Sequence, residues 1–218
     1  MMTSHAPQAI LFDLDGTLSD SLSVMKGAYQ KFLQQFGALP TDREFISLNG
    51  PPLYEVVQRL KITHGLKGDD KTLYANYCDI LDDTYLSVRP CAGAQALLQT
   101  ARENQCVIGI VTSNSETRTR AWLNVVGLSH LIDFIVSGDD ARCGKPHPGP
   151  YLEAVKRALC PPANIIAVED SLQGSRSATE AGLKTIAIVR DAEKKDAWPQ
   201  GIIMVATLEQ VGPLLWKN

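Results

Sequence analysis

The chain has 218 residues, a formal net charge of -3, a pI near 5.8 and an apolar share of 44%. That length suits one large domain or a core with a smaller insert, and the charge gives no electrostatic case for nucleic acid or an anionic membrane. Five scattered cysteines form no CxxC pair, no apolar run approaches the ~18 residues of a membrane span, and Met1 to Gln8 carries no signal-peptide pattern, so a cytoplasmic protein with reduced thiols is expected.

Ala9-Ile10-Leu11-Phe12 is a short apolar run ending in an acidic turn, and its length predicts a buried strand. The stretch from about Ser21 to Val88 then holds no convincing strand. Leu22, Met25, Tyr29, Phe32, Leu33 and Phe36 make a helical stripe. Thr41 with Glu44 three residues later predicts a capping box. Pro52 to Leu60 and Lys71 to Tyr85 carry further stripes, so a bundle of about four helices is expected here. After it, helices are predicted over Ala94–Glu103, Glu116–Val126, Pro150–Leu159 and Gly174–Ala181, with Gly127 and Gly182 as C′ glycines. Between them lie the apolar runs Val107–Val111, Phe134–Val136, Ile165–Val168 and Thr185–Val189. Ile202–Val205 and a helix over about Leu208–Trp216 close the chain. Strand and helix alternate, which predicts an α/β protein with a parallel sheet covered on both faces.

In open parallel sheets, ligands bind beyond the carboxyl ends of the strands. Asp13 and Asp15 follow the first strand, Thr112-Ser113-Asn114 the second, Lys145 a loop after the third, and Glu169-Asp170 the fourth. All are expected on one rim. Carboxylates crowded there need a cation to coexist ionised. An all-oxygen ligand set favours a hard ion, and Mg2+ is the common one at phosphate sites. A lysine with Ser, Thr and Asn donors suits a phosphoryl group. An aspartate in that setting can attack as nucleophile, and a second carboxyl two residues on can serve as general acid and base. Each cluster alone has a plainer reading as a helix cap, a turn or a solvated loop. Their order at successive strand ends carries the case for phosphoryl transfer.

Asp13-Leu14-Asp15-Gly16-Thr17-Leu18-Ser19-Asp20-Ser21, Val111-Thr112-Ser113-Asn114, Lys145-Pro146 and Val168-Glu169-Asp170-Ser171 resemble, in order, the four motifs of the haloacid dehalogenase superfamily. The resemblance runs from about residue 8 to 212. It implies a Rossmann-like core over 1–20 and 89–218 and a mobile all-helical cap over 21–88. It implies that Asp13 is the nucleophile, Asp15 the general acid/base, and Lys145 a catalytic lysine. By the same resemblance Asp13, Asp15, Glu169 and Asp170 hold Mg2+, while Thr112, Ser113, Asn114 and Lys145 hold the phosphoryl group. Which of Thr112 and Ser113 supplies the motif's hydroxyl stays open, as does direct or water-mediated contact of Glu169 with the metal.

Substrate choice is assigned by resemblance to the cap, where Asn49, Gly50 and Pro51 are the leading candidates and Arg43, Arg59 and Lys61 are possible cationic contacts. The Gly-Pro loop is similar to that of phosphoglycolate phosphatases. Beta-phosphoglucomutases typically place a histidine after the first motif and an arginine in the cap loop, where this chain reads Ser23-Val24-Met25-Lys26 and Asn49-Gly50-Pro51-Pro52. The expected partner is a small phosphorylated metabolite, with no nucleic acid and no membrane. A phosphosugar mutase is the enzyme alternative. A phospho-aspartate receiver or a binding protein is the non-enzyme alternative, and neither accounts for the full motif set.

Overall fold

Strand β1 (Ala9–Phe12) is buried along its whole length, because both of its faces are covered. Ile10 and Phe12 point into one apolar cluster, and Ala9 and Leu11 into another. This is the two-residue period of a strand read twice, and it explains why the run has no polar alternation. The structure, a computed structural model, describes residues 6–48, 50–138, 140, 143–190 and 197–216. Among them, β1 pairs in parallel with β2 (Val107–Val111) and with β4 (Ile165–Glu169). Strands β3 (Phe134–Val136), β5 (Lys184–Ile188) and β6 (Ile203–Val205) extend the sheet outward in the order β3-β2-β1-β4-β5-β6. The strand order reverses direction beside β1, so the carboxyl ends of β1, β2 and β4 open onto one crevice.

Helices α1 (Leu22–Gln35), α2 (Asp42–Ser47), α3 (Leu53–His64) and α4 (Asp70–Tyr85) follow β1. They bury an apolar cluster of their own, including Phe32, Leu33, Val57, Leu60, Tyr77 and Leu81. Phe32 meets Tyr77 edge-on, with centroids 4.9 Å apart. Each fully buried Leu or Phe contributes roughly 1.5–3 kcal/mol, so the insert carries its own core instead of borrowing one. Two chain passes join it to the sheet. They lie side by side, with Asp20 N donating to Arg89 O at 2.9 Å and Cys91 N to Leu18 O at 2.8 Å.

The remaining helices are α5 (Ala94–Glu103), α6 (Glu116–Val125), α7 (Gly149–Ala158), α8 (Leu172–Glu180) and α9 (Val211–Leu215). Three details differ from the sequence expectations. Helix α8 begins two residues early, because Ser171 Oγ caps it by accepting from Gly174 N at 3.0 Å. Only half of the Thr41–Glu44 box forms. Thr41 accepts from Glu44 N, but the Glu44 carboxylate is drawn to Tyr29 Oη and His64 Nε2. The last helix is divided into a 3-10 turn at Leu208–Gln210 and α9, since Pro213 fits only a first helical turn. All five cysteines are free thiols. No described helix is long and apolar enough to cross a membrane.

Candidate active site

The site grows from the turn after β1. Asp13 N still donates to Val168 O at 2.9 Å, so the strand ladder holds the Asp13 backbone. The chain then closes on itself, with the N–H groups of Thr17, Leu18 and Ser19 all aimed at Leu14 O. Gly16 makes that closure possible. Its φ is +88°, and a Cβ there would lie 2.1 Å from Asp170 Oδ2.

Lys145 arrives from the loop before α7 and is 3% exposed. Its ammonium donates to Asp13 Oδ1 at 2.6 Å, to Val111 O at 2.8 Å and to Glu169 Oε1 at 2.5 Å. It also sits 5.3 Å from the centroid of the Tyr151 ring. Glu169, at the end of β4, has no exposed surface. Tyr151 Oη donates to its Oε1 at 2.8 Å and Ser171 Oγ to its Oε2 at 3.1 Å. Gly174 leaves room for this carboxylate, since a Cβ there would fall about 2.0 Å from Glu169 Oε1.

Asp170 behaves differently. Its Oδ2 accepts from Arg190 at 3.3 Å, whereas its Oδ1 is buried with no hydrogen-bond partner. Carboxylate oxygens of Asp13, Glu169 and Asp170 lie within 4.8 Å of one another. Among the described residues one ammonium faces these three carboxylates. Burial, followed by the charges of Glu169 and Asp170, raises Asp13 well above the carboxylate range despite Lys145. Burial and Glu169 push Asp170 up to about 7. The two carboxylates beside Lys145 outweigh its own desolvation and raise it above the usual lysine value. The donor set is all oxygen, short of positive charge and holds an orphaned buried oxygen, which fits a hard divalent cation.

Asp15 lines the same cleft as Asp13. Its Oδ1 accepts from Ser21 Oγ at 2.6 Å and Tyr85 Oη at 2.5 Å, and its Oδ2 from Asn114 Nδ2 at 3.3 Å. Thr112, Ser113 and Asn114 also line the cleft. Thr112 Oγ1 accepts from Asn114 N at 3.0 Å, and Ser113 Oγ donates to Gly50 O of the insert at 2.5 Å. The cleft therefore gathers Asp13, Asp15, Thr112, Ser113, Asn114, Lys145 and Asp170, with Glu169 behind Lys145. Gly50 and Pro51 line it from the insert side. Asn49 lies outside the described residues. Arg59 pairs with Glu55 and Lys61 with Asp70, Arg43 is exposed, and none of the three lines the cleft.

Sequence reasoning gave no role to Ser21, Tyr85, Arg118, Tyr151 and Arg190, all of which contact the candidate residues. Arg118 is 6% exposed; its Nη1 donates to Asn114 Oδ1 at 2.7 Å and its Nε to Asp82 Oδ1 of α4 at 2.6 Å. Ser21 closes the first motif and Arg190 lies two residues past β5, so motif membership for the one and strand-end position for the other were usable signals. Tyr85 belongs to the stripe of Lys71–Tyr85 and Tyr151 falls in the helix predicted over Pro150–Leu159, and nothing in their spacing separates them from core.

The fold and the rim define an α/β protein with an acidic, lysine-bridged crevice at the carboxyl ends of a doubly wound sheet. Residues 10–188 match the haloacid dehalogenase-like hydrolase family, and the chain belongs to that family. It is similar to the 6-phosphogluconate phosphatase of Escherichia coli K12, with 30% identity over 96% of this chain and 95% of that one. It is 29% identical to the phosphoglycolate phosphatase of Nitrosospira multiformis over 80% of each chain. The crystal structure of a beta-phosphoglucomutase from Clostridium difficile superposes with a TM-score of 0.83 at 22% identity, covering 94% of this chain and 93% of that one. Within the family this chain is an enzyme of the phosphatase kind.

Proposed function

We propose that the chain is a Mg2+-dependent phosphatase of a small phosphomonoester that works through an aspartyl-phosphate on Asp13. In this reading residues 21–88 form a cap over a core made of 1–20 and 89–218. The observation that carries it is the buried Lys145 bridging Asp13 and Glu169 beside Asp170, whose Oδ1 lacks a partner. Asp13 and Asp170, with the Asp15 backbone, would hold the cation, which supplies charge neutralisation for the phosphoryl oxygens and the nucleophile. Glu169 is the weaker direct ligand, because Lys145, Tyr151 and Ser171 already occupy its oxygens.

An Asp13 carboxylate oxygen attacks phosphorus and the bond from phosphorus to the ester oxygen breaks. The departing alkoxide takes a proton from Asp15 and leaves as the alcohol. Asp15 then takes a proton from the water that attacks the phosphorus of the aspartyl-phosphate, which releases phosphate and restores Asp13. Lys145, Asn114 and a hydroxyl stabilise the transferring group. Of the two hydroxyls, Thr112 Oγ1 accepts from Asn114 N and donates to no described residue, while Ser113 gives its proton to Gly50 O. The mutase alternative is weaker, because Leu22 and Met25 face the cleft from α1 and no described histidine lines it.

Asp13→Asn is expected to abolish phosphate release from acetyl phosphate, with the far-UV circular dichroism spectrum unchanged. EDTA is expected to stop turnover and Mg2+ to restore it. Full activity in the Asn variant would rule out the mechanism.

A further inference from the structure

The two walls of the cleft differ in chemistry. The sheet-side wall carries the carboxylates, Lys145 and the Thr112–Asn114 donors. The facing wall is built by Leu22, Met25, Phe45, Leu48, Leu53, Val56 and Leu81. Among the described residues, Tyr77 brings that wall's one hydroxyl and no charged side chain of the insert reaches it. Among the described residues, the cations that line the cleft are Lys145 and Arg118. Lys145 is committed to Asp13 and Glu169. Arg118 is committed to Asp82 and to the Asn114 side chain.

We infer that the alcohol half of the substrate is uncharged and presents a hydrocarbon or aromatic face to this wall. The inference rests on the phosphatase reading above and adds the substrate class. The phosphoryl group must sit against Asp13, so the alcohol half extends toward the insert. A carboxylate or second phosphate there would leave water for an apolar surface that offers no free counter-ion among the described residues, which is unfavourable. An apolar body would instead exchange wet hydrocarbon for contact with half-buried Leu22, Met25, Phe45, Leu48 and Leu53, with buried Leu81 beside them, which favours binding. The names of two relatives point the other way, since 6-phosphogluconate and phosphoglycolate both carry a carboxylate on the alcohol half.

The test compares kcat/KM at saturating Mg2+ for 2-phenylethyl phosphate and n-hexyl phosphate against phosphoglycolate and 6-phosphogluconate. Acetyl phosphate, small and uncharged in its acyl half, reports the phosphoryl machinery alone. The apolar esters are expected to exceed both carboxylate esters by at least tenfold. Turnover of acetyl phosphate with any smaller ratio overturns the substrate inference and leaves the phosphatase reading standing. No phosphate release from acetyl phosphate or any ester overturns both. Leu53→Arg, checked for folding by circular dichroism, is expected to cut the ratio at least tenfold by placing a free cation on the wall. A folded variant with an unchanged ratio would show that this wall does not meet the alcohol half.

Discussion

Lys145 is the residue on which the electrostatics of the rim turn. Among the described residues it is the only ammonium beside three neighbouring carboxylates, and it is buried with two of them. Removing one partner from a buried ion pair leaves charge without compensation, which typically costs about 3–5 kcal/mol. Lys145→Met is therefore expected to lower metal-free stability by about that amount, read as a fall in the urea midpoint, and to suppress turnover. A variant as stable as the parent would mean that Asp13 and Glu169 are not both ionised without metal. At this scale the sequence was most informative where backbone position decides the role. Asp13, Asp15, Thr112, Glu169 and Asp170 all stand at or just beyond a strand's carboxyl end, and apolar runs reveal such ends. Tyr151 was not legible, because the side of α7 that meets Glu169 is set by how the helix docks.

Helix α8 joins the structural and chemical roles of one loop. Ser171 Oγ accepts from Gly174 N to cap the helix and donates to Glu169 Oε2. Losing an N-cap of this kind costs about 0.5–2 kcal/mol. Ser171→Ala is expected to reduce stability within that range and to free Glu169 Oε2, so kcat falls while KM for the ester changes little. A stability loss with intact kcat would reduce Ser171 to a cap alone. The sequence pointed to a helix start near Gly174, and the structure moves it to Leu172. Competing hydrogen bonds decide such boundaries, as they do at Glu44, whose carboxylate prefers Tyr29 and His64 to its own helix start.

Across the whole molecule, metal binding and stability should be linked. The carboxylate crowding that raises Asp13 and Asp170 is relieved by a cation, and a ligand that binds only the folded state stabilises it. Mg2+ at about 100 times its Kd is expected to add about 2.7 kcal/mol, or roughly 5–10 °C in Tm for a chain of this size. Differential scanning fluorimetry against Mg2+ concentration measures this, and Asp170→Asn is expected to erase most of the shift. An equal shift in that variant would place the ion elsewhere.

The order of apolar runs, their lengths and the polar residues that end them were enough to specify the parallel sheet, the helical insert after β1 and the rim shared by β1, β2 and β4. These properties follow from burial and periodicity, which are written along the chain. Only the tertiary structure decided which side chains meet: Arg118 with Asn114 and Asp82, Arg190 with Asp170, and the apolar wall that the insert turns toward Asp13. Asp82 and Arg118 stand 36 positions apart and Asp170 and Arg190 20 apart, and the shape of the wall depends on how α1–α4 sit over the sheet. The nature of that wall, and with it the inferred alcohol half of the substrate, therefore belongs to the packing of the insert rather than to any motif.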